Sequence, residues 1–234
     1  MLSIVKTGAT TMLGIIGGTS LRFTPLPDLA ARVVHTPYGS SRILTGRCVL
    51  LLRHQYNLPP HRINYRSHLA ALALCGVTRV VTIGSAGSLQ REIPPGSVII
   101  PDDYMSMTSV PSIHDHAIRH VHPGFTPGFS RELAAVIPEA RFGGIYVQTP
   151  GPRIETIAEV RALAAMADVV GMTVASEATL AAELGMEVAC LCTVDNYANG
   201  LGDETLTYDH ILACAEQNRD RTGSMVERII ARFA

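Results

Sequence analysis

The 234-residue sequence has no tryptophan, and aromatic side chains make up only 5% of it. Acidic side chains are scarce at its N-terminal end. Before Glu92 the only Asp or Glu is Asp28, against ten lysines and arginines up to Arg91, so the net charge of −1 hides an asymmetry. Cations without interleaved aromatics, in a chain that is not basic overall, do not describe a nucleic-acid surface; they suit a small anion. No apolar run approaches the roughly 20 residues that a membrane span needs. The first residues, MLSIVKTGATTM, lack a sustained apolar stretch and a clear cleavage site, which speaks against a signal peptide. The five cysteines, Cys48, Cys75, Cys190, Cys192 and Cys214, show no metal-ligand spacing. Cys190 and Cys192, in the apolar run VACLCTV, read as buried, reduced thiols in a strand, and this cysteine usage leads us to expect a cytoplasmic protein with no metal. Internal repeats, low-complexity runs and any break in composition that would mark a second domain are also missing.

What the chain does have is apolar bulk: hydrophobic residues are 47% of it. β-branched apolar runs end in glycine or polar residues at LGIIGG (13–18), CVLLLRH (48–54), RVVTIGSAG (79–87), SVIIPDDY (97–104), GGIYVQTPG (143–151), DVVGMT (168–173) and EVACLCTVDN (187–196). Between them, residues 64–76, 156–167 and 175–185 carry helical spacing, and one long helical stretch covers 208–233. Strands alternating with helices predict a single-domain α/β fold around a largely buried sheet. Residues 1–11 are expected to be an N-terminal extension and 12–234 the domain. In such folds chemistry gathers beyond the carboxyl ends of the strands.

The stretch LGIIGGTSL, Leu13 to Leu21, has the look of a strand turning into a phosphate loop. Its glycine spacing is not G-x-G-x-x-G, and the ribose-binding acid expected about 20 residues on is missing. No Gly-Lys-Ser/Thr follows, so a P-loop is excluded too. What remains is a turn whose N–H groups and hydroxyls suit a bare anion. Arg53 and His54 follow a strand directly, and arginine offers a planar fork for phosphate oxygens. IGSAGSL (83–89) and GMT (171–173) add two more hydroxyl-bearing turns after strands. As a set these pieces describe a site for inorganic phosphate.

The chain resembles the trimeric class of purine nucleoside phosphorylases, close to the methylthioadenosine and methylthioinosine phosphorylases. The resemblance rests on GIIGGTSL, RH…PPHRINYRSHLAAL, GSAGSL, TPGPRIETIAEVR, VVGMTVASEATLAAELG and CLCTVDNYANG, in family order, and covers nearly everything from Met12 onward. It implies a central mixed sheet flanked by helices, no cofactor, and phosphate as a reactant that cleaves the N-glycosidic bond of a purine nucleoside. By resemblance, Thr19, Arg53, His54, Ser85 and Thr173 hold phosphate. Met172 lies against the sugar, and Ala86, Gly87, Ile154, Tyr197 and Ala198 line the nucleoside site. His122 reaches the 5′ end of the substrate in a neighbouring subunit of a homotrimer. Without the resemblance, Met172 reads as a core methionine and His122 as an ordinary loop histidine.

Asn196 aligns with the residue that contacts the purine at N7. In the family an asparagine there accompanies 6-oxopurines and an aspartate 6-aminopurines. An amide can donate to O6 and N7, while a carboxylate accepts from an amino group. Glu155 would accept from N1–H, which adenine lacks. Together they favour hypoxanthine or guanine. Asp195 sits beside Asn196, however, and a one-residue change of register would put an aspartate on the base and favour adenine. The second aspartate of adenine-type members is replaced by Ala198, or by Tyr197 in the shifted register. For Asp195 the bland alternative is a loop carboxylate bonding nearby backbone N–H groups. Other departures are Gln55 in place of the glycine after the histidine and a missing second histidine, with His61 and Arg62 nearby. Glu177 is expected to be structural or to support the sugar site indirectly, and residues 200–210 to cover the site. A phosphate-independent nucleosidase and a non-catalytic nucleotide-binding module are the rival readings.

Overall fold

Adjacent residues of the apolar runs must find cover on opposite faces of a sheet, because side chains alternate along a strand. The computed structural model, which describes residues 12–21, 24, 29–202 and 207–234, provides that cover. Its strands are β1 (Met12–Gly17), β2 (Ala30–Thr36), β3 (Gly39–Thr45), β4 (Val49–Leu52), β5 (Val77–Ser88), β6 (Val98–Ile100), β7 (Asp103–Ser106), β8 (Arg141–Phe142), β9 (Ile145–Gln148), β10 (Val169–Gly171) and β11 (Glu187–Tyr197). Its helices are α1 (Tyr65–Leu74), α2 (Pro127–Val136), α3 (Ile157–Leu163), α4 (Val174–Glu183), α5 (Tyr208–Gln217) and α6 (Arg219–Phe233). On one face Ile16, Leu51, Val80 and Cys190 pack with Leu69 and Leu72 of α1 and Val174 and Ala178 of α4. On the other, Ile15, Leu50, Val81 and Leu191 pack with Phe129 and Leu133 of α2 and Val226 and Ile229 of α6. A smaller cluster joins Val147 and Val170 to Val160 and Leu163 of α3.

The expected α/β architecture with a mixed sheet is present. β4, β1, β5 and β11 run parallel, while β2–β3–β4 form an antiparallel edge and β6 is antiparallel to β11. The β2–β3 hairpin, β8 and α2 are absent from the sequence reading. The stretch expected as one helix over 208–233 breaks at Asn218, whose backbone (φ −89°, ψ 5°) separates α5 from α6. The expected extension 1–11, and residues 203–206 of the expected covering loop, lie outside the described residues. No helix among the described residues is long and apolar enough to cross a membrane.

The sheet forks at β5. Along one edge β1 pairs with β5 in parallel up to Gly17–Ile83. Farther on, β10 takes over that edge in the opposite direction, at Gly87 and Ser88. Gly84, Ser85 and Ala86 lie between the two partners. The turn that leaves β1 and the turn that leaves β10 therefore run toward each other over these three residues. α4 starts there too: a Cβ on Gly84 would stand 2.9 Å from Cγ2 of Val174, so only glycine lets the helix approach this closely. On its other edge β5 is paired by β11 almost throughout. Such a divergence of strands is where α/β folds place their ligands.

Candidate active site

Arg53 follows β4 into the fork, and its guanidinium is buried with 2% exposure. Its Nε donates to Glu177 Oε1 at 2.6 Å and its Nη2 to Glu177 Oε2 at 3.0 Å. Nη2 also donates to the Ile83 carbonyl at 2.9 Å and to the Thr82 hydroxyl at 3.2 Å. Thr82 in turn donates to Glu177. Burial opposes the charge on Arg53, but the carboxylate outweighs it and keeps the guanidinium firmly protonated. The bidentate face expected to grip phosphate is thus engaged by Glu177, whose structural role is realised on the arginine. Nη1 makes no hydrogen bond within the described residues. It lies where a Cβ on Gly18 would be 2.6 Å away, so the last glycine of the LGIIGG run leaves room for it.

The turn after β1 divides its two hydroxyls. Ser20 is buried, and its Oγ is 3.0 Å from the Thr193 hydroxyl of β11, which fastens the turn to the sheet. Thr19 is half-buried and makes no side-chain hydrogen bond among the described residues. The Thr173 hydroxyl, at the entry to α4, is likewise without a bond, and no side-chain cap closes that helix. The Thr173 and Val174 amides donate instead to the Tyr146 hydroxyl, at 3.3 and 3.4 Å. His54 is half-buried with Nδ1 2.9 Å from the Leu58 carbonyl oxygen, and its ring lies on the same Gly18. Thr19, Arg53, His54, Ser85 and Thr173 are therefore gathered around one fork from four parts of the chain.

His68, which the sequence reading passes over, is buried beside this cluster. Burial lowers its pKa to about 4, helped by Arg53 and His54, so it stays neutral. His61 and Arg62 are exposed in a short turn and do not join the site.

Beyond Ser85 the same strand carries a second group of residues. The β5–β11 register shifts between Val194 and Asn196, which leaves Asp195 as the extra residue of a bulge. Asp195 is 6% exposed and accepts a hydrogen bond from the Ser85 hydroxyl. Burial pushes its carboxyl up to about 6, against the lowering effect of the Ser85 and Thr193 hydroxyls. Asn196 is half-buried, and a Cβ on Gly87 would be 3.1 Å from its Nδ2. That nitrogen donates to the Tyr197 carbonyl at 2.7 Å, leaving one N–H and the carbonyl oxygen of the amide unbonded among the described residues.

Glu155 is buried and accepts from the Thr149 hydroxyl at 2.5 Å through Oε1. Asn199 donates to the Glu155 carbonyl at 2.9 Å, which ties the 149–155 loop to the segment after β11. The Ala198 amide donates to the Ser88 carbonyl at 2.8 Å, so Ala86, Gly87, Tyr197 and Ala198 share the end of β5. Met172 and Ile154 are half-buried, and Gly151 (φ +58°) turns the loop so that a Cβ there would be 2.4 Å from the Met172 sulfur. His122 is exposed in the irregular segment 107–126. Among the described residues no group of three or more His, Cys, Asp or Glu side chains is arranged to hold a metal ion.

A family model described as the phosphorylase superfamily matches residues 12–231. Among curated relatives, a protein of Archaeoglobus fulgidus named "Probable 6-oxopurine nucleoside phosphorylase" is 39% identical, over 94% of this chain and 96% of its own. A "Probable S-methyl-5'-thioinosine phosphorylase" of Methanocaldococcus jannaschii is 35% identical, over 94% of this chain and 92% of its own. Among solved structures, the methylthioadenosine phosphorylase from Schistosoma mansoni in complex with adenine superposes with a TM-score of 0.84, over 95% of this chain and 91% of that one. At 23% identity this last likeness speaks for the fold.

Two outcomes follow from the buried charges. Glu177→Ala strands the Arg53 guanidinium, and urea unfolding is expected to show a loss of about 3–5 kcal/mol. Asp195 binds its proton more tightly folded, at about 6, than its ordinary value of 3.8. The folded state therefore holds a proton that the unfolded chain has released, and stability falls as pH rises between those values. Asp195→Asn is expected to remove that fall, on the order of 3 kcal/mol, in urea unfolding followed against pH.

Proposed function

The chain belongs to the phosphorylase superfamily, and on that premise we infer that it is a purine nucleoside phosphorylase with a preference for 6-oxopurines. It takes inorganic phosphate as co-substrate and gives a free purine and a pentose 1-phosphate. The observation that carries the reading is the fork at β5. Around residues 82–85 it gathers Nη1 of Arg53 and the hydroxyls of Thr19, Ser85 and Thr173 for an anion, and around residues 86–88 the Asn196 amide and the Glu155 carboxylate for a base.

The chemistry asks for no protein nucleophile. A phosphate oxygen forms the new bond to C1′ as the C1′–N9 bond breaks, and the electron pair goes to the departing purine. The sugar passes through a loose, oxocarbenium-like state, which a phosphate dianion held beneath it stabilises. Arg53, Thr19, His54, Ser85 and Thr173 hold that dianion; no metal or organic cofactor is required. At the other end, the unbonded N–H of Asn196 donates to N7 and draws off the charge that develops on the base. Glu155 accepts from N1–H, its second carboxylate oxygen being free of protein bonds among the described residues. Asp195, bonded to Ser85, is turned to the phosphate half rather than the base, which supports Asn196 as the base reader. The relatives named for 6-oxopurine nucleosides and methylthioinosine support the same choice. Met172 backs the sugar. His122, exposed in a single chain, serves the 5′ end of a neighbour's substrate in a homotrimer. Five free cysteines suit a cytoplasmic setting.

The test is release of base from inosine and 5′-methylthioinosine compared with 5′-methylthioadenosine, at saturating phosphate. Hypoxanthine release is expected to exceed adenine release by at least about 10-fold in kcat/KM, worth ~1.4 kcal/mol of transition-state binding. Asn196→Asp is expected to narrow or reverse that ratio. Faster release of adenine by the unaltered enzyme would contradict the assignment of Asn196 and Glu155.

A further inference from the structure

The Ser85 hydroxyl has one proton, and in this structure that proton is given to Asp195. An ionised carboxylate can only accept hydrogen bonds. While Asp195 is charged, Ser85 therefore turns its lone pairs toward the fork, where they face an incoming dianion unfavourably. A protonated carboxyl can donate instead. Ser85 Oγ then accepts from Asp195, and its own O–H is released to point at the anion.

We propose that Asp195 is a positioning residue for the co-substrate: by taking up a proton it converts Ser85 from an acceptor into a donor, so that one proton is bound with each dianion at the fork. The proposal rests on the fork being the phosphate site. The proton comes from solvent and ends on the Asp195 carboxyl. No covalent bond to the protein is made or broken.

Three features of the structure support this role. Asp195 is the bulge residue of β11, and the shift of register falls just where its side chain meets Ser85. The pair is enclosed, Asp195 being 6% exposed, so the carboxyl has little access to water as an alternative donor. It also has no cation to hold its charge. The groups that act on it are the Ser85 hydroxyl of β5 and the Thr193 hydroxyl of β11, the latter shared with Ser20 of the turn after β1. From α5 the Cys214 thiol faces it; that thiol is raised first by burial and then by the Asp195 charge. The Arg53 guanidinium is not among the groups that lower the carboxyl. A carboxyl left at about 6 by burial is poised to gain a proton near neutral pH when a dianion arrives.

Calorimetric titration with sulfate tests this directly, because sulfate remains a dianion across the range and adds no ionisation of its own. Titrations in buffers of different ionisation enthalpy count the protons taken up. The unaltered enzyme at about pH 7 is expected to take up close to one proton per sulfate more than Asp195→Asn does, with an affinity that falls up to ~10-fold per pH unit relative to that variant. Uptake by any other group of the site remains in both proteins and cancels in the comparison. Ser85→Ala is expected to lose the same component, and it carries the test alone should Asp195→Asn fail to fold.

Equal uptake in the unaltered enzyme and Asp195→Asn would overturn the proposal. Retention of the full component in Ser85→Ala would also overturn it, since Asp195 would then act as a bare charge rather than through the hydroxyl. Failure of sulfate and phosphate to bind the unaltered enzyme at any pH, together with base release that ignores phosphate, would overturn the proposal and the phosphorylase reading together. Base release that needs phosphate, without the extra proton, would overturn the proposal alone.

Discussion

A guanidinium buried between the strands of a sheet cannot exist without a partner, and the Arg53–Glu177 ion pair meets that constraint for the whole active-site region. Taking both charges out of water costs several kcal/mol apiece, which only close bidentate geometry and further hydrogen bonds can offset. The structure supplies both: two bonds to the carboxylate, and bonds from Nη2 to the Thr82 hydroxyl and the Ile83 carbonyl. Glu177 sits in the first turn of α4, where the helix dipole also favours a negative charge. The pair thereby fixes the end of β4, the middle of β5 and the start of α4 relative to one another. Any displacement among these elements would leave a charge stranded.

The division of labour along β5 follows from that frame. Residues 82–85 lie with the ion pair, the Gly18 turn and the entry to α4, all of which offer N–H or O–H groups. Residues 86–88 lie with β10, the end of β11 and the 149–155 loop, where a glycine and small side chains leave room for a flat base and two polar groups can read it. On the proposed function, the nucleophile and the leaving group of a single substitution at C1′ are thus held by groups gathered around successive residues of one strand. A rigid, doubly covered strand is well suited to this, because the in-line arrangement tolerates little error.

Much of this was legible in the sequence because the central strands are buried on both faces and so appear as uninterrupted apolar runs. The hydroxyls, the arginine and Asn196 all fall at the ends of such runs. The β2–β3 hairpin was illegible for the opposite reason. It lies at the edge of the sheet, with most of its side chains exposed, and AARVVHT carries too few apolar residues to stand out. α2 starts on Pro127 and Gly128, which read as a turn although proline at the first position of a helix is permitted. The break at Asn218 leaves the apolar spacing of 208–233 undisturbed, so periodicity could not reveal it. At the site, the partner of Arg53 lies 124 residues away, and no spacing rule joins them. The part played by Asp195 depends on a bulge. A shift of one residue decides which of two adjacent side chains meets Ser85, and that is set by strand pairing rather than by local sequence.

On the proposed function, phosphate at the fork is a reactant rather than a bystander. Phosphorus NMR of the enzyme turning over inosine with inorganic phosphate tests it most directly. A phosphomonoester signal, that of pentose 1-phosphate, is expected to grow in step with hypoxanthine as the inorganic phosphate signal shrinks. Hypoxanthine accompanied by free pentose, with inorganic phosphate unchanged, would contradict it.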